Sequence, residues 1–296
     1  MSVALNPGRP ARQRRYGPRR ILVETASVAL GIVIVIWSLM PVYNMMLIAL
    51  DPEGQNEFDG NLWPPEPSFD SFRIVLTGGH WYLEGFWLQF GNSLYIGLLT
   101  MFLTVLISSL ASFAIGRMRL TKAWVLTDTA LLIYVVPASL LAIPFSRLIY
   151  SYELSDRLIA VVAAQVMFAT PFAVLILQQY AKLIPIEFDE AARIDGATPA
   201  QVYLHIYLPL MAPALAAVGT YALLLAWDEY LYQYLLLSSP RNWTVAVAIE
   251  QFFDVDEAPW NYMMAMAIIY ALPPVAIFYG LSRYMATGLT TGGVKG

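Results

Sequence analysis

The chain has no cysteine and only two histidines in 296 residues. The first absence removes disulfide frameworks, thiolate zinc sites and cysteine nucleophiles. The second leaves His80 and His205 alone, and the topology derived below puts them on opposite sides of a membrane, where they cannot share a metal or a proton relay. Charge is scarce, at 13% of residues. None of the three lysines (Lys122, Lys182, Lys295) is followed by Ser or Thr, so the phosphate-cradling loop of nucleotide hydrolases is missing. No internal repeat and no low-complexity tract is visible.

What is abundant is apolar sequence, 58% of residues with mean hydropathy +0.59. Six stretches carry no charge: 25–50, 93–115, 129–146, 158–181, 206–227 and 258–282. About 20 residues at a rise of ~1.5 Å cover a hydrocarbon core of ~30 Å, so the pattern predicts six transmembrane helices. The third stretch is marginal and reaches a comfortable length when extended back across Asp128. A membrane barrel would need alternating segments of about 10 residues, which are missing. The run at 25–50 is far longer than the ~7–15-residue apolar region of a cleaved signal and has no small-residue cleavage pattern. It is expected to remain as an anchor. Prolines recur inside the stretches, at Pro41, Pro137, Pro144, Pro171, Pro213, Pro273 and Pro274, and each removes a backbone donor and kinks or interrupts its helix.

Basic residues are segregated. Arg9, Arg12, Arg14, Arg15, Arg19, Arg20, Arg117, Arg119, Lys122, Lys182, Arg193, Arg283 and Lys295 fall on one side, 13 of the 17 in the chain. The opposite loops carry Asp51, Glu53, Glu57, Asp59, Glu66, Asp70 and Glu84, then Asp254, Asp256 and Glu257. Positive charge is retained on the cytoplasmic side, so both termini are expected there. This retention accounts for the arginine cluster, and no nucleic-acid partner is called for. Trp81, Tyr82, Phe86 and Trp87 read as an aromatic belt at the outer interface.

One polar segment interrupts the apolar pattern on the cytoplasmic side. Residues 185–195 read as a short helix with Pro185 near its start. Glu187, Asp189 and Glu190 in its first turns complement the positive end of the helix dipole. Gly196 supplies a left-handed stop. Thr198-Pro199-Ala200-Gln201 then opens a second helix as a capping box. Ala191, Ala192, Ala197 and Ala200 give a small-residue surface that permits close approach. The segment reads as a docking element.

The order Glu190-Ala191-Ala192, three residues, Gly196, nine residues, Ile206, one residue, Leu208-Pro209 resembles the cytoplasmic loop of ABC importer permeases. Phe90-Gly91-Asn92-Ser93-Leu94 resembles the family's opening of the second span, and Ile184-Pro185-Ile186-Glu187 its lead into the loop. Ala226-Trp227-Asp228-Glu229-Tyr230 is similar to its fifth-span pattern, with Asp228 where Asn is usual. The ending Gly288–Gly296 resembles the tail of the carbohydrate branch. The chain therefore resembles the maltose-type (MalG-like) permease subunits of carbohydrate ABC importers over most of its length.

That resemblance implies an all-α integral membrane protein of six transmembrane helices with a cytoplasmic coupling-helix loop, the type I ABC importer permease fold. It implies a basic N-terminus at 1–20, a permease domain at 21–284 with the coupling loop at 185–206, and a tail at 285–296. The site would be a bacterial cytoplasmic (inner) membrane. The subunit would be non-catalytic, with ATP and Mg held by a partner ATPase and no cofactor or metal in this chain. Its partners would be a second, MalF-like permease, an ATPase dimer, an extracytoplasmic solute-binding protein and membrane lipid. Glu190, Ala191, Ala192, Asp195, Gly196, Ile206, Leu208 and Pro209 would couple to the ATPase. Gly292, Val294, Lys295 and Gly296 would approach the ATPase dimer interface, and loop 238–260 would face the binding protein.

Trp227, Asp228, Glu229 and Tyr230 combine flat apolar faces with hydrogen-bonding tips, as a sugar path requires. If the fifth span starts near Pro209, Trp227 lies about 27 Å further along, where an interfacial belt accounts for it equally. Glycerol phosphate or another solute stays open for the same architecture. A secondary transporter or channel is the other alternative, although ion-coupled carriers bury ionisable groups at mid-membrane and have no use for a coupling loop.

Overall fold

The computed structural model describes residues 18–51, 62–118, 122, 125, 127–129, 132, 135–253 and 258–291, with side chains from residue 22 to 285. In chain order the helices are α1 Pro18–Leu50, α2 Asp70–Thr77, α3 Phe86–Arg117, α4 Ala138–Ser151, α5 Leu158–Ala181, α6 Glu187–Ile194, α7 Pro199–Val202, α8 Leu208–Asp228, α9 Leu231–Leu236, α10 Val245–Glu250 and α11 Trp260–Thr291. A π turn, Tyr203–Tyr207, joins α7 to α8, and single 3-10 turns occupy Trp81–Leu83 and Gln251–Phe253. No strand occurs among the described residues.

Among the described residues, five helices are long and apolar enough to cross a bilayer, and they carry the first, second, fourth, fifth and sixth apolar stretches. The third stretch is not one continuous helix. Residues 127–129, 132 and 135 are helical, the path breaks at Val136–Pro137, and α4 restarts at Ala138. Proline has no N–H to bond backwards, and its ring pushes the preceding residue out of the helical region. Pro137 itself, the residue before α4, has an extended ψ of 129°. Pro41, Pro144, Pro171, Pro213 and the Pro273–Pro274 pair are accommodated inside helices.

Helices α3, α5 and α8 pack on one another, α11 lies against α8, and α1 lies against α11. Water is absent from a bilayer core, so there is little hydrophobic drive between spans, and small residues that let backbones approach supply the packing. Ala160, Ala164, Ala169, Ala173, Ala214 and Ala222 are buried in these contacts. Gly97 is a point of close approach between α3 and α8. A β-carbon there would lie 3.0 Å from Leu223 Cδ1 and 3.2 Å from Trp227 Cε3. Nothing of α1's most apolar window is buried within the chain, so that helix is a flank.

Three buried clusters stack along the bundle. Val75, Leu83, Phe86, Phe252, Met263 and Met266 close the end where α2, α10 and the start of α11 meet. Ile96, Ala164, Tyr232 and Leu236 fill the middle region. Phe113, Leu177, Val202, Tyr207 and Met211 underlie α6 and α7. Met263 and Met266 are thus packing residues. Of the expected aromatic belt, Trp81 and Trp87 are exposed, whereas Tyr82 and Phe86 turn inward. In α3, Asn92 and Arg117 are 25 positions apart, about 37 Å along a helix. The two ends of the bundle are therefore separated by more than a hydrocarbon thickness.

A side chain at Gly97 has to displace either the Leu223 tip or the rigid Trp227 ring. Gly97→Val is expected to lower stability by about 1–3 kcal/mol through overpacking, read as a lower midpoint of thermal unfolding in detergent. Adding Leu223→Ala should restore part of the loss, and equal midpoints for all three chains would contradict the close approach.

Candidate functional site

The segment after α5 is built by local hydrogen bonding. Helix α6 ends in a complete two-bond C-terminal motif. Gly196 N–H donates to the Arg193 carbonyl at 3.1 Å and Ala197 N–H to the Ala192 carbonyl at 2.9 Å. This arrangement needs a left-handed residue, and Gly196 has φ +86°. No atom lies within 4 Å of where its β-carbon would be, so the demand for glycine comes from backbone conformation alone. The predicted capping box is present. Gln201 N–H donates to Thr198 Oγ1 at 3.3 Å, and Thr198 N–H donates to Gln201 Oε1 at 2.8 Å. Pro199 occupies the first helical position, where its missing N–H costs nothing.

Pro209 cannot donate to the His205 carbonyl, and the turn before it opens to π geometry, with Leu208 N–H reaching Tyr203 O. Such single π turns often sit at functional points of a helix. The turn is fastened to α3. Tyr203 Oη is 2.7 Å from Ser109 Oγ and Tyr207 Oη is 2.9 Å from Ser112 Oγ, with the Phe113 ring edge-on to both tyrosines.

Helix α6 has two faces. Glu187, Glu190, Ala191 and Ile194, spaced as one helical stripe, are exposed, and so is Phe188 beside them. Ile194 is 87% exposed. The other face carries Asp189, 2% exposed, and Ala192, which packs with Ala197 and Ile206 into the cluster under the loop. The small-residue surface is therefore divided. Ala191 and Ala200 point out, whereas Ala192 and Ala197 serve the loop's own packing. Asp195, Gly196 and Pro209 are exposed, and Ile206 and Leu208 are half-buried. Gly292, Val294, Lys295 and Gly296 lie outside the described residues, as do Arg9, Arg12, Arg14 and Arg15.

Asp189 faces Arg117, the last residue of α3, whose exposure is 5%. Arg117 Nη1 lies 3.4 Å from Asp189 Oδ2, an ion pair without hydrogen-bond geometry. Arg117 Nη2 donates to the carbonyls of Ala181 at 3.1 Å and Ile184 at 2.9 Å. Arg193 Nη2 returns a bond to the Arg117 carbonyl at 3.3 Å. Sequence reasoning saw Arg117 only as a topological charge and Asp189 only as a dipole complement. Their 72-residue separation hides the pair. Ile194 was also missed, although a lone branched apolar residue closing a polar helix is a signal.

The residues at the fifth span's far end are used in several ways. Trp227 is 4% exposed and stacks on Tyr270 at 4.6 Å. Asp228 is exposed at the end of α8 and, with Trp227, Tyr270, Pro274, Phe278 and Tyr279, lines an open groove of about 520 Å³. Glu229 breaks the helix. Its Oε1 accepts from Tyr232 N–H at 2.8 Å and its Oε2 from Gln165 Nε2 at 2.7 Å. Tyr230 Oη donates to Glu250. His80 caps the turn that follows it, and His205 Nδ1 contacts the Gln201 carbonyl at 3.1 Å.

At the opposite end from α6, two connections hold the loop after α9. Asn92 Nδ2 donates to the carbonyls of Arg241 and Trp243 at 2.9 and 2.8 Å, and Ser93 Oγ accepts from Val245 N–H at 3.1 Å. The Asn92-Ser93 pair at this point of α3 thus pins a segment some 150 residues later. Asp156, at φ +56°, accepts from the N–H groups of Ser238 and Ser239 at 2.8 and 3.0 Å and from the Ser239 hydroxyl. Burial acts to raise its pKa, but those donors and Asn242 outweigh it and hold the carboxyl below its ordinary 3.8.

With the geometry in place, the comparisons assign the chain. Residues 26–291 match the family described as "Binding-protein-dependent transport system inner membrane component", and the chain belongs to that family. It is the membrane-embedded, non-catalytic permease of an ABC importer, working with a binding protein and with an ATPase in a separate subunit. It is 33% identical over 208 residues to the inner membrane ABC transporter permease protein YcjP of Escherichia coli, covering 70% of this chain and 74% of that one. It is 29% identical to the trehalose transport system permease protein SugB of Mycobacterium tuberculosis, over 95% of this chain and 100% of that one. The fold is similar to a chain in the crystal structure of a bacterial ABC transporter involved in the import of the acidic polysaccharide alginate. That match has TM-score 0.76 and 17% identity, covering 91% of this chain and 98% of that one.

The Asp156 staple has a defined pH dependence. A carboxyl whose folded pKa is depressed contributes stability above its unfolded value and loses it as pH falls through the folded one. The 238–242 segment should therefore be unaffected between pH 7 and 5 and loosen only below about 3.8. Asp156→Ala should loosen it at neutral pH by about 1–2 kcal/mol of local opening. Hydrogen exchange at Ser238 and Ser239 reads both effects, and loosening already at pH 5 would contradict the assignment.

Proposed function

We propose that this chain is one of two permease subunits of an importer for a sugar, oligosaccharide or polyol, and that loop 185–206 is the surface on which the ATPase docks. The observation that carries the docking assignment is the exposed stripe Glu187, Glu190, Ala191 and Ile194, held at a fixed angle by the Gly196 turn. An apolar side chain as exposed as Ile194, flanked by carboxylates, is suited to a partner cleft with a basic rim. Ala191 permits the close contact, and Asp195, Gly196, Ile206, Leu208 and Pro209 fix the hook behind it.

The remaining assignments belong to the same reading. The second permease packs beside this chain, and α1, unburied on its most apolar window, contributes to the lipid-facing or partner-facing flank. Segregated arginine and lysine support an inner-membrane orientation with both termini cytoplasmic. ATP and Mg belong to the ATPase dimer, whose interface Gly292, Val294, Lys295 and Gly296 approach. Loop 238–260 faces the solute-binding protein. The trehalose permease relative, covering nearly the whole chain, supports a carbohydrate solute. Glycerol phosphate remains the alternative. Trp227, Asp228, Glu229 and Tyr230 stand as the path residues, with Asp228 and the aromatic groove beside it as the part open to a solute.

The native chain has no cysteine, so single cysteines report orientation cleanly. A cysteine at position 240 should react with an impermeant maleimide from outside and one at position 190 only from the cytoplasm. The reverse pattern refutes the orientation.

Docking is tested by co-purification of the ATPase with the assembled permease. Gly196→Val strains the turn by about 1 kcal/mol or more, Glu190→Lys reverses a rim charge, and Ile194→Asp removes the apolar knob. Each should reduce ATPase retention by about ten-fold, as loss of a 1–2 kcal/mol interface residue does. The isolated chain should hydrolyse no ATP. Wild-type retention in all three variants, or hydrolysis by the chain alone, would overturn the proposal.

A further inference from the structure

The ion pair between Arg117 and Asp189 has a feature that simple loop anchoring does not require. It joins the inward face of α6 to the last residue of a membrane-spanning helix. A buried charge pair is seldom more stable than apolar residues of the same volume, but it fixes direction. The guanidinium binds the Ala181 and Ile184 carbonyls on one side and Asp189 on the other, while Arg193 binds back to the Arg117 carbonyl. The end of α3, the end of α5 and α6 are thereby one unit. The route along the chain from α6 to α8, by contrast, passes through the Gly196 turn and the π turn at Tyr203–Tyr207.

We propose that Arg117 and Asp189 form a strut that carries displacement of α6 directly into α3 and α5, making them positioning residues for coupling nucleotide turnover to movement of the spans. The proposal rests on the reading that α6 docks on the ATPase. The strut lies on the face of α6 opposite the docking stripe, so the two can be broken separately. Removing it leaves the dock intact and disconnects it from the spans.

The test uses the assembled importer with spin-label pairs in the cysteine-free chain, with ATP and vanadate as the probe. One pair, at positions 118 and 186, spans the strut from exposed residues at its two ends, neither of them in the docking stripe. A second pair, at exposed positions 88 and 234, reports the far end of the bundle. In the native chain the 118–186 distance should stay fixed on trapping nucleotide while the 88–234 distance changes. In Arg117→Met/Asp189→Leu, which leaves no uncompensated buried charge, the ATPase should remain bound and trap nucleotide within about two-fold of native. The 118–186 distance should then shift on trapping, and the far-end change should fall by about five-fold or more, the scale of a coupling free energy. Arg117→Lys, which keeps the charge, should recover part of the response. A stable double variant whose two distances behave as in the native chain would overturn the strut alone, and so would loss of the ATPase from it. Full ATPase retention by Gly196→Val, Glu190→Lys and Ile194→Asp alike would overturn the docking reading and the strut with it.

Discussion

A hydrocarbon interior offers no water to a peptide group, so every N–H and C=O that crosses it must find its partner within the chain. The consequence reaches well beyond the choice of helices. Wherever the path departs from a helix, something other than solvent has to satisfy the backbone. At Glu229, where α8 stops, the residue's own carboxylate accepts the Tyr232 N–H, while Gln233 Nε2 donates to the Glu229 and Ala226 carbonyls. At the ends of α5 and of the segment before α6, the Arg117 guanidinium takes the carbonyls of Ala181 and Ile184. Several of the polar side chains that look out of place in an apolar sequence are those that allow it to turn.

Helix α3 is the member on which both ends of the bundle depend. Near its start Asn92 and Ser93 hold the 241–245 segment. Along its second half Ser109 and Ser112 hold the π turn, and its last residue holds α6. Between the two it presents Gly97 to Leu223 and Trp227, which an added β-carbon would meet at 3.0 and 3.2 Å. One rod thus carries polar connections at its two ends and close apolar packing between them, and movement at one end has a stiff path to the other.

The sequence made the class of protein and the local geometry of the loop legible, because both depend on neighbours in the chain. Uncharged runs, Gly196 as a left-handed stop and Thr198 with Gln201 as a capping box are all short-range signals, and each is present in the structure. Long-range pairing was not legible. Nothing local marks Arg117 as the partner of Asp189, nor assigns Gln165 to Glu229 or Asp156 to Ser239. The division of the alanines has the same origin. Ala191 and Ala192 are adjacent in sequence, yet a 100° step around the helix leaves one exposed and packs the other, half-buried, against the cluster beneath the loop. The third stretch, read as one span, is broken because Pro137 acts on Val136 more strongly than the run of apolar side chains favours continuity.

Helix α6 is only eight residues long, about 12 Å, and its exposed stripe is small against the ~800 Å² per partner of a standard interface. A surface of that size can be specific only if little ordering is needed when it binds, because immobilising side chains and loops consumes most of a small interface's free energy. The loop meets this condition before any partner arrives. Its C-terminal turn is closed by two backbone bonds, its second helix by a reciprocal cap, and its inner face by the alanine cluster. In the docking proposed above, a rigid, shallow knob of this kind would be engaged and released repeatedly without refolding, and the same rigidity would pass force applied at Ile194 to α3 instead of absorbing it within the loop.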